Sequence, residues 1–190
     1  MRRSIPLFGV LLILACISAR DDDDDKDKRD ADKPAAPAAV EDGISVYFSP
    51  DGGALRAIVA QINGAKKTLD VQAYVLTTTK LAKPIQDAHR RGVKVRVLID
   101  KNNVEGNFSV APALVEHGVK VRVDGKHKEA HNKVMLIDGA TVITGSMNFT
   151  LAADEENAEN VLILTGKPKI AAAYADNFEK HWKHAEKFGE

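Results

Sequence analysis

From Gly43 onward the chain alternates short β-branched runs with segments of helical periodicity. Apolar residues crowd Ile44–Phe48, Thr68–Leu76, Val93–Ile99, Val119–Val123, Lys133–Asp138, Thr141–Gly145 and Asn160–Leu164, which predicts seven strands. Helical spacing covers Gly52–Asn63, Thr79–Arg91, Val110–His117 and Lys167–Lys187. In the first of these, Leu55, Ile58, Val59 and Ile62 form the single apolar stripe of a core-facing helix. Gly92 and Gly118 each stand between a helix and a strand, where a left-handed cap is expected. Asp138-Gly139-Ala140-Thr141 reads as a tight hairpin between two strands. Strand and helix alternation followed by a hairpin predicts an α/β domain, a mixed β-sheet flanked by helices on both faces. No internal repeat is visible.

The first 42 residues do not share this pattern. Arg2 and Arg3 precede an apolar run from Leu7 to Ile17, too short for a comfortable membrane span and suited to an export signal over residues 1–19. Ile13-Leu14-Ala15-Cys16 resembles a bacterial lipobox, in which Cys16 becomes the lipidated first residue of the mature chain. Cleavage near Ala19 and an uncleaved anchor are the alternatives. Each places the domain outside the bacterial cytoplasm, as a periplasmic, membrane-anchored or secreted protein. Residues 20–42, acidic and then rich in Pro and Ala, read as an extended linker, leaving residues 43–190 as the folded domain.

Composition sharpens the picture through its distribution. The 190 residues hold 27 Lys plus Arg and 27 Asp plus Glu, a net charge of zero that by itself disfavours a polyanionic partner. Yet residues 21–42 hold ten acids against four bases, whereas residues 80–133 hold twelve bases against six acids. That basic stretch includes Arg90, Arg91, Lys94, Arg96, Lys101, Lys120, Arg122, Lys126 and Lys128, and is expected to track phosphates. A single Cys excludes an internal disulfide and a Cys-based zinc cage. Aromatic residues make up only 5% of the chain, too few for an extended base-stacking surface.

The chemistry concentrates in His131-Asn132-Lys133 and the hairpin that follows, ending in Gly145-Ser146-Met147-Asn148. Alternation along a strand sets His131 and Lys133 on one face, and the hairpin brings Ser146 and Asn148 beside them. An imidazole, an ammonium, a hydroxyl and an amide at one sheet end suit an anionic tetrahedral group. Asp138 has the opposite strand parity and is expected to support the hairpin. His127 and His131 are four residues apart, but the segment reads as strand, which sets aside a zinc pair. His181 and His184 are expected to be solvated on the terminal helix, and His89 and His117 near helix ends.

In this stretch the sequence resembles the phospholipase D superfamily, whose signature is His-x-Lys-x4-Asp-x6-Gly-Ser, carried here by His131, Lys133, Asp138, Gly145 and Ser146. The Ser-x-Asn spacing to Asn148, Asn148-Phe149-Thr150 and Glu159-Asn160 resemble the superfamily's single-motif bacterial endonucleases, and Leu69 to Tyr74 its second strand. The resemblance implies that His131 attacks phosphorus to form a phosphohistidine, which water hydrolyses. It implies that Lys133 and Asn148 hold phosphoryl oxygens, with Ser146 assisting, and that Glu159 hydrogen-bonds the imidazole. Asp138 enters the catalytic set as part of the motif. Gln72 and Tyr74 are near-site or core residues, and Lys126 and Lys128 substrate contacts. No cofactor or metal is implied for the reaction. One motif supplies one His where the mechanism needs two, so the resemblance implies a homodimer sharing one active site. DNA, and RNA with it, is the expected substrate class. The alternatives are a phospholipase D acting on phospholipid head groups and a non-catalytic binding protein at the envelope.

Overall fold

The computed structural model describes residues 35–105 and 109–189. The expected export signal, Cys16 and most of the expected acidic linker lie outside the described residues. Strands β1 (Ala39–Glu41), β2 (Ile44–Ser49), β3 (Thr68–Ala73), β4 (Lys94–Asp100), β5 (Lys120–Asp124), β6 (Lys133–Ile137), β7 (Thr141–Gly145), β8 (Glu159–Leu164) and β9 (Glu186–Lys187) form one sheet. Their order is β1-β2-β8-β7-β6-β3-β4-β5-β9. Among these strands only β3, β4 and β5 pair in parallel; the other strand pairs are antiparallel. The sheet is therefore mixed, as the sequence predicts.

Helices α1 (Ala54–Gly64), α2 (Thr79–Arg90) and α3 (Ala111–Glu116) cover one face, with the short α4 (Leu151–Glu155) beside them; α5 (Pro168–His184) covers the other. Side-chain alternation builds the two cores. On β3 and β4, Leu69, Val71, Val95, Val97 and Ile99 meet Leu55, Ile58 and Ile62 of α1 and Leu81 and Ile85 of α2. On the opposite face Leu98, Val134, Leu136 and Val142 meet Ala171 and Phe178 of α5.

Several boundaries differ from the sequence reading. The linker was expected to extend through residue 42, yet Ala39–Glu41 pairs with Ile44–Ser49 across a turn at Asp42 and Gly43, both at positive φ. The domain thus begins inside the Ala-rich segment. Three residues ending in Val-Glu carry too little apolar pattern to read as a strand. The predicted strand Thr68–Leu76 ends at Ala73, because the chain leaves β3 there and Leu76 forms a separate bridge to Phe149. Helix α4 escapes a periodicity reading because it has five residues, held by Thr150 Oγ1 accepting from Ala153 N at 3.1 Å. The last helix stops at His184 and the chain turns into β9 against β5.

The Asp138 hairpin forms as expected. Asp138 and Gly139 both have positive φ, and Ala140 N donates to Ile137 O at 3.0 Å.

Candidate active site

Strand directions gather the motif at one end of the sheet. β3 and β7 run toward that end and β6 and β8 run away from it. The carboxyl ends of β3 and β7 and the amino ends of β6 and β8 therefore coincide, bringing together Tyr74, His131, Lys133, Ser146 and Glu159. The parallel trio β3, β4 and β5 ends there too, the usual place for a ligand crevice in an open α/β sheet.

His131 is exposed two residues before Lys133, which opens β6 and is 8% exposed. Lys133 Nζ lies 3.0 Å from His131 Nδ1 and 3.4 Å from Nε2, and donates to His131 O at 3.1 Å. Tyr74 backs the pair. Its ring centroid is 4.2 Å from the imidazole, and Lys133 Nζ is 5.0 Å above the phenol ring. Burial pushes the Lys133 ammonium below the ordinary lysine range, opposed by the negative charges of Glu159 and Glu129.

Gln72 is buried, and its Nε2 donates to Asn132 Oδ1 at 3.2 Å, while Tyr74 N donates to Asn132 O at 2.7 Å. Both residues left open between site and core hold the His131–Lys133 segment against β3. Tyr74 lines the site; Gln72 acts beneath it.

The second half of the motif is organised by a close approach. A Cβ on Gly145 would stand 2.1 Å from Asn160 O and 3.0 Å from Val161 Cα, so only glycine lets β7 and β8 meet here. The next residue uses that proximity: Ser146 N donates to Asn160 O at 3.1 Å, and Ser146 Oγ accepts from Asn160 N at 3.0 Å. Ser146 Oγ in turn donates to Glu159 Oε2 at 2.5 Å, and Asn157 Nδ2 donates to Glu159 Oε1 at 3.4 Å. Glu159 was expected on the imidazole. Within one chain its carboxylate is bound instead to Ser146 and Asn157, because Gly145 draws β8 against Ser146. Asn148 is half-buried, and its Oδ1 has no protein partner, so the fold leaves part of this amide unused.

Asp138 lies at the opposite end of β6, one residue past Ile137. Its carboxylate accepts from Lys66 N at 2.9 Å, Lys67 N at 2.6 Å and Thr68 N at 2.9 Å. Burial raises its pKa, but these three donors and the Lys67 charge prevail and hold it below the ordinary carboxylate range. Asp138, which the motif places in the catalytic set, instead fixes the entry to β3 and stands a full strand length from His131.

The basic stretch does not form one surface. Lys94 and Lys120 begin β4 and β5, at the end away from the site. Arg96 is bound to Asp70 and Glu179 and lies over Phe178 and Trp182; Arg122 Nη1 donates to Trp182 O. Arg91 donates to Ile62 O and Asn63 O, and Arg90 pairs with Asp87. These arginines secure helices. Lys101, Lys126 and Lys128 are exposed on loops at the site's end of the sheet.

One cluster was missed. Asp124, fully buried at the end of β5, is surrounded by His127, His181 and His184. The histidines on α5 were expected in solvent, but their side chains are only 14% and 22% exposed, because the helix end docks on β5. His89 also departs from a solvated reading, its Nδ1 being buried without a partner. The available signal was the i, i+3 spacing of His181 and His184 on one helix face, matched by the same spacing from Asp124 to His127.

The domain family described as "Cardiolipin synthase, PLD-like domain" matches residues 58–182. The "Phospholipase D" of Rickettsia prowazekii is 39% identical over 135 residues, 71% of this chain and 65% of its own length. The "Mitochondrial cardiolipin hydrolase" of Xenopus laevis is 35% identical over 130 residues, 68% of this chain and 61% of its own. The chain thus spans somewhat less than two thirds of the length of these two relatives. Among solved structures, Nuc of Salmonella typhimurium, a phospholipase D family member, superimposes with TM-score 0.75 at 31% identity, covering 77% of this chain and 98% of that one. NucT of Helicobacter pylori shares the fold at TM-score 0.71 and 24% identity, covering 76% and 98%. Near-complete coverage of Nuc matches a domain built around one copy of the motif. On its sequence, its fold and the grouping of His131, Lys133 and Ser146, this chain belongs to the phospholipase D superfamily of phosphodiesterases, in the single-motif branch typified by Nuc.

Proposed function

We propose that the protein is an exported, metal-independent endonuclease of low sequence specificity, working as a homodimer through a phosphohistidine on His131. The observation that carries this reading is the open site. His131 is exposed at the sheet end, with Lys101, Lys126 and Lys128 on neighbouring loops, where a polymer's flanking phosphates could lie. The sequence carries no base-reading motif, in keeping with low specificity.

An unprotonated ring nitrogen of His131 attacks phosphorus, with Lys133 and Asn148 binding the non-bridging oxygens. The leaving oxygen takes a proton from the partner subunit's His131. Water then attacks phosphorus, returning a proton to that same imidazole, and the P–N bond breaks. Exposed Phe48 and Leu151, at the site's end of the sheet, are suited to an apolar contact between copies. A twofold axis through this end would also offer Glu159 an imidazole from the other copy.

Plasmid DNA incubated with the protein in excess EDTA tests the reading. Cleavage by wild type and its loss in His131→Ala are expected; intact DNA with dimeric wild type defeats it.

A second reading, phospholipid hydrolysis, is favoured by the names of the rickettsial and Xenopus relatives. Choline release from phosphatidylcholine vesicles alongside intact plasmid would select it. A non-catalytic envelope protein would instead keep its biological activity in His131→Ala. Lipid attachment at Cys16 is part of the proposal, tested by globomycin sensitivity and by mass spectrometry of the mature amino terminus.

A further inference from the structure

We propose that Asp124, His127, His181 and His184 form a structural zinc site, separate from the phosphoryl-transfer centre. Three imidazoles converge on one carboxylate that is wholly buried. His181 Nδ1 lies 2.6 Å from Asp124 Oδ2, His184 Nε2 lies 3.1 Å from Oδ1, and His127 Nδ1 lies 3.1 Å from both oxygens. One ligand atom from each of the four residues lies within 4.8 Å of every other. Tetrahedral zinc, with bonds of about 2.0–2.2 Å, needs its ligand atoms about 3.3 Å apart, a small adjustment from this arrangement.

The ligand chemistry fits zinc. Imidazole and carboxylate are both ordinary zinc ligands, and three neutral imidazoles with one carboxylate leave a net charge of +1. The ligands come from the end of β5, the loop after it and the last turn of α5. Metal binding would therefore join two pieces of backbone more than fifty residues apart, the β5 end with its loop and the end of α5. Lys126 N donates to Asp124 Oδ1 at 3.1 Å, holding the carboxylate from outside the ligand set, as outer partners of metal ligands do. Four protein ligands close the coordination sphere, which marks a structural rather than a catalytic zinc.

The site's location gives it a task. Residues 125–130 run from Asp124 to His131 and carry Lys126 and Lys128. The far end of this loop is tied down by Ala130 N donating to Asp100 Oδ2 at 2.6 Å. Zinc at Asp124 and His127 would anchor the near end to α5, so the whole approach to His131 is fixed. Asp124 ends β5 and Lys133 begins β6, with β4 and β3 between them. Three strand spacings of about 4.8 Å set the ion roughly 14 Å from the phosphoryl site, compatible with hydrolysis that uses no metal.

The test reads metal and not DNA cleavage, so its failure is distinct from failure of the nuclease reading. Protein purified without a histidine tag is saturated with zinc chloride, desalted and analysed for metal. Wild type and His131→Ala should each retain one zinc per chain and gain thermal stability from it. His184→Gln should weaken zinc binding by more than the roughly 10–100-fold lost with an outer-shell partner. His127→Gln, on a loop and without a helix to disturb, should do the same while circular dichroism shows a folded chain. Cobalt in place of zinc should give the intense visible bands of a four-coordinate site, absent from both variants. Folded wild type that retains no stoichiometric zinc would overturn the proposal, as would His127→Gln retaining zinc with wild-type affinity.

Discussion

Ser146 Oγ donates to Glu159 Oε2 at 2.5 Å, so the serine of the motif is spoken for by a carboxylate before any substrate arrives. The same carboxylate is the leading negative charge that opposes the burial of Lys133. Removing it changes the ammonium more than the fold. In Glu159→Gln the carboxamide oxygen still accepts from Ser146, but nothing of that charge remains to offset desolvation. The Lys133 pKa should then fall further below 10.5, its ordinary value. The alkaline limb of kcat/KM against pH, measured with a nitrophenyl phosphodiester, should move to lower pH. An unmoved limb would show that Lys133 does not set it.

Lys133 also predicts opposed effects on stability and activity. A lysine with a depressed folded pKa binds fewer protons folded than unfolded, so stability rises with pH between the folded value and 10.5. At neutral pH its burial is a cost. Lys133→Met, apolar and of similar length, should abolish turnover while raising the melting temperature by a few degrees, about 1 kcal/mol. Differential scanning calorimetry at pH 7 and pH 10 checks this, and the gain should shrink at the higher pH.

Gly145 is the backbone counterpart of these charges. In Gly145→Ala the methyl meets Asn160 O, and β7 and β8 must separate where Ser146 and Asn160 exchange two hydrogen bonds. A displacement of about 1 Å at a catalytic group costs on the order of 10²-fold in rate. Gly145→Ala should therefore lose about that factor in kcat while remaining folded by circular dichroism. Unchanged kcat would mean that Ser146 and Asn148 need no such placement.

Much of this was legible in the sequence, and the divide is physical. Strand parity and the hairpin put His131, Lys133 and Ser146 together because local periodicity determines them. Asp138 was legible as a support by parity, even though the motif includes it. The partner of Glu159 was not legible, because it depends on how closely two backbones approach at Gly145. Nor was the fate of Arg96 and Arg122: a charge count cannot tell an arginine held by Asp70, Glu179 and Trp182 from one facing solvent. The Asp124 cluster joins residues 57 and 60 positions apart, a meeting fixed only by the docking of α5.

The exposed lysines make the arginine correction testable. Lys126→Gln with Lys128→Gln should weaken DNA binding and flatten the dependence of log K on log salt, each lost phosphate contact removing about 0.9 from the slope. Lys94→Gln with Lys120→Gln, at the far end of β4 and β5, changes net charge equally and should leave the slope nearly unchanged. Equal slopes for the two double variants would mean that net charge alone, rather than these loops, governs binding.

Asp138 separates folding from catalysis. Asp138→Ala removes three backbone hydrogen bonds to a charged acceptor and places alanine at φ 55°; partial exposure limits the expected loss to about 2 kcal/mol. Asp138→Asn tolerates the left-handed backbone and should lose less. Because the folded pKa is depressed, the contribution is complete above the unfolded value near 3.8 and fades as pH falls through the folded one. Urea denaturation at pH 7 and pH 3 should show the wild type's advantage over Asp138→Asn narrowing in acid. Both variants, once folded, should keep kcat within a few-fold of wild type, because the carboxylate lies at the opposite end of β6.

A shared active site makes a stoichiometric prediction. If each phosphodiester needs His131 from both copies, a dimer with one His131→Ala subunit is inactive. Refolding wild type with an equal amount of His131→Ala, so that subunits exchange freely, should leave about a quarter of the activity of the same total chain as wild type, since about one dimer in four is then fully wild type. Independent sites would leave about half. Activity against the mixing fraction should follow its square, and a straight line would require each chain to complete the reaction with a single imidazole.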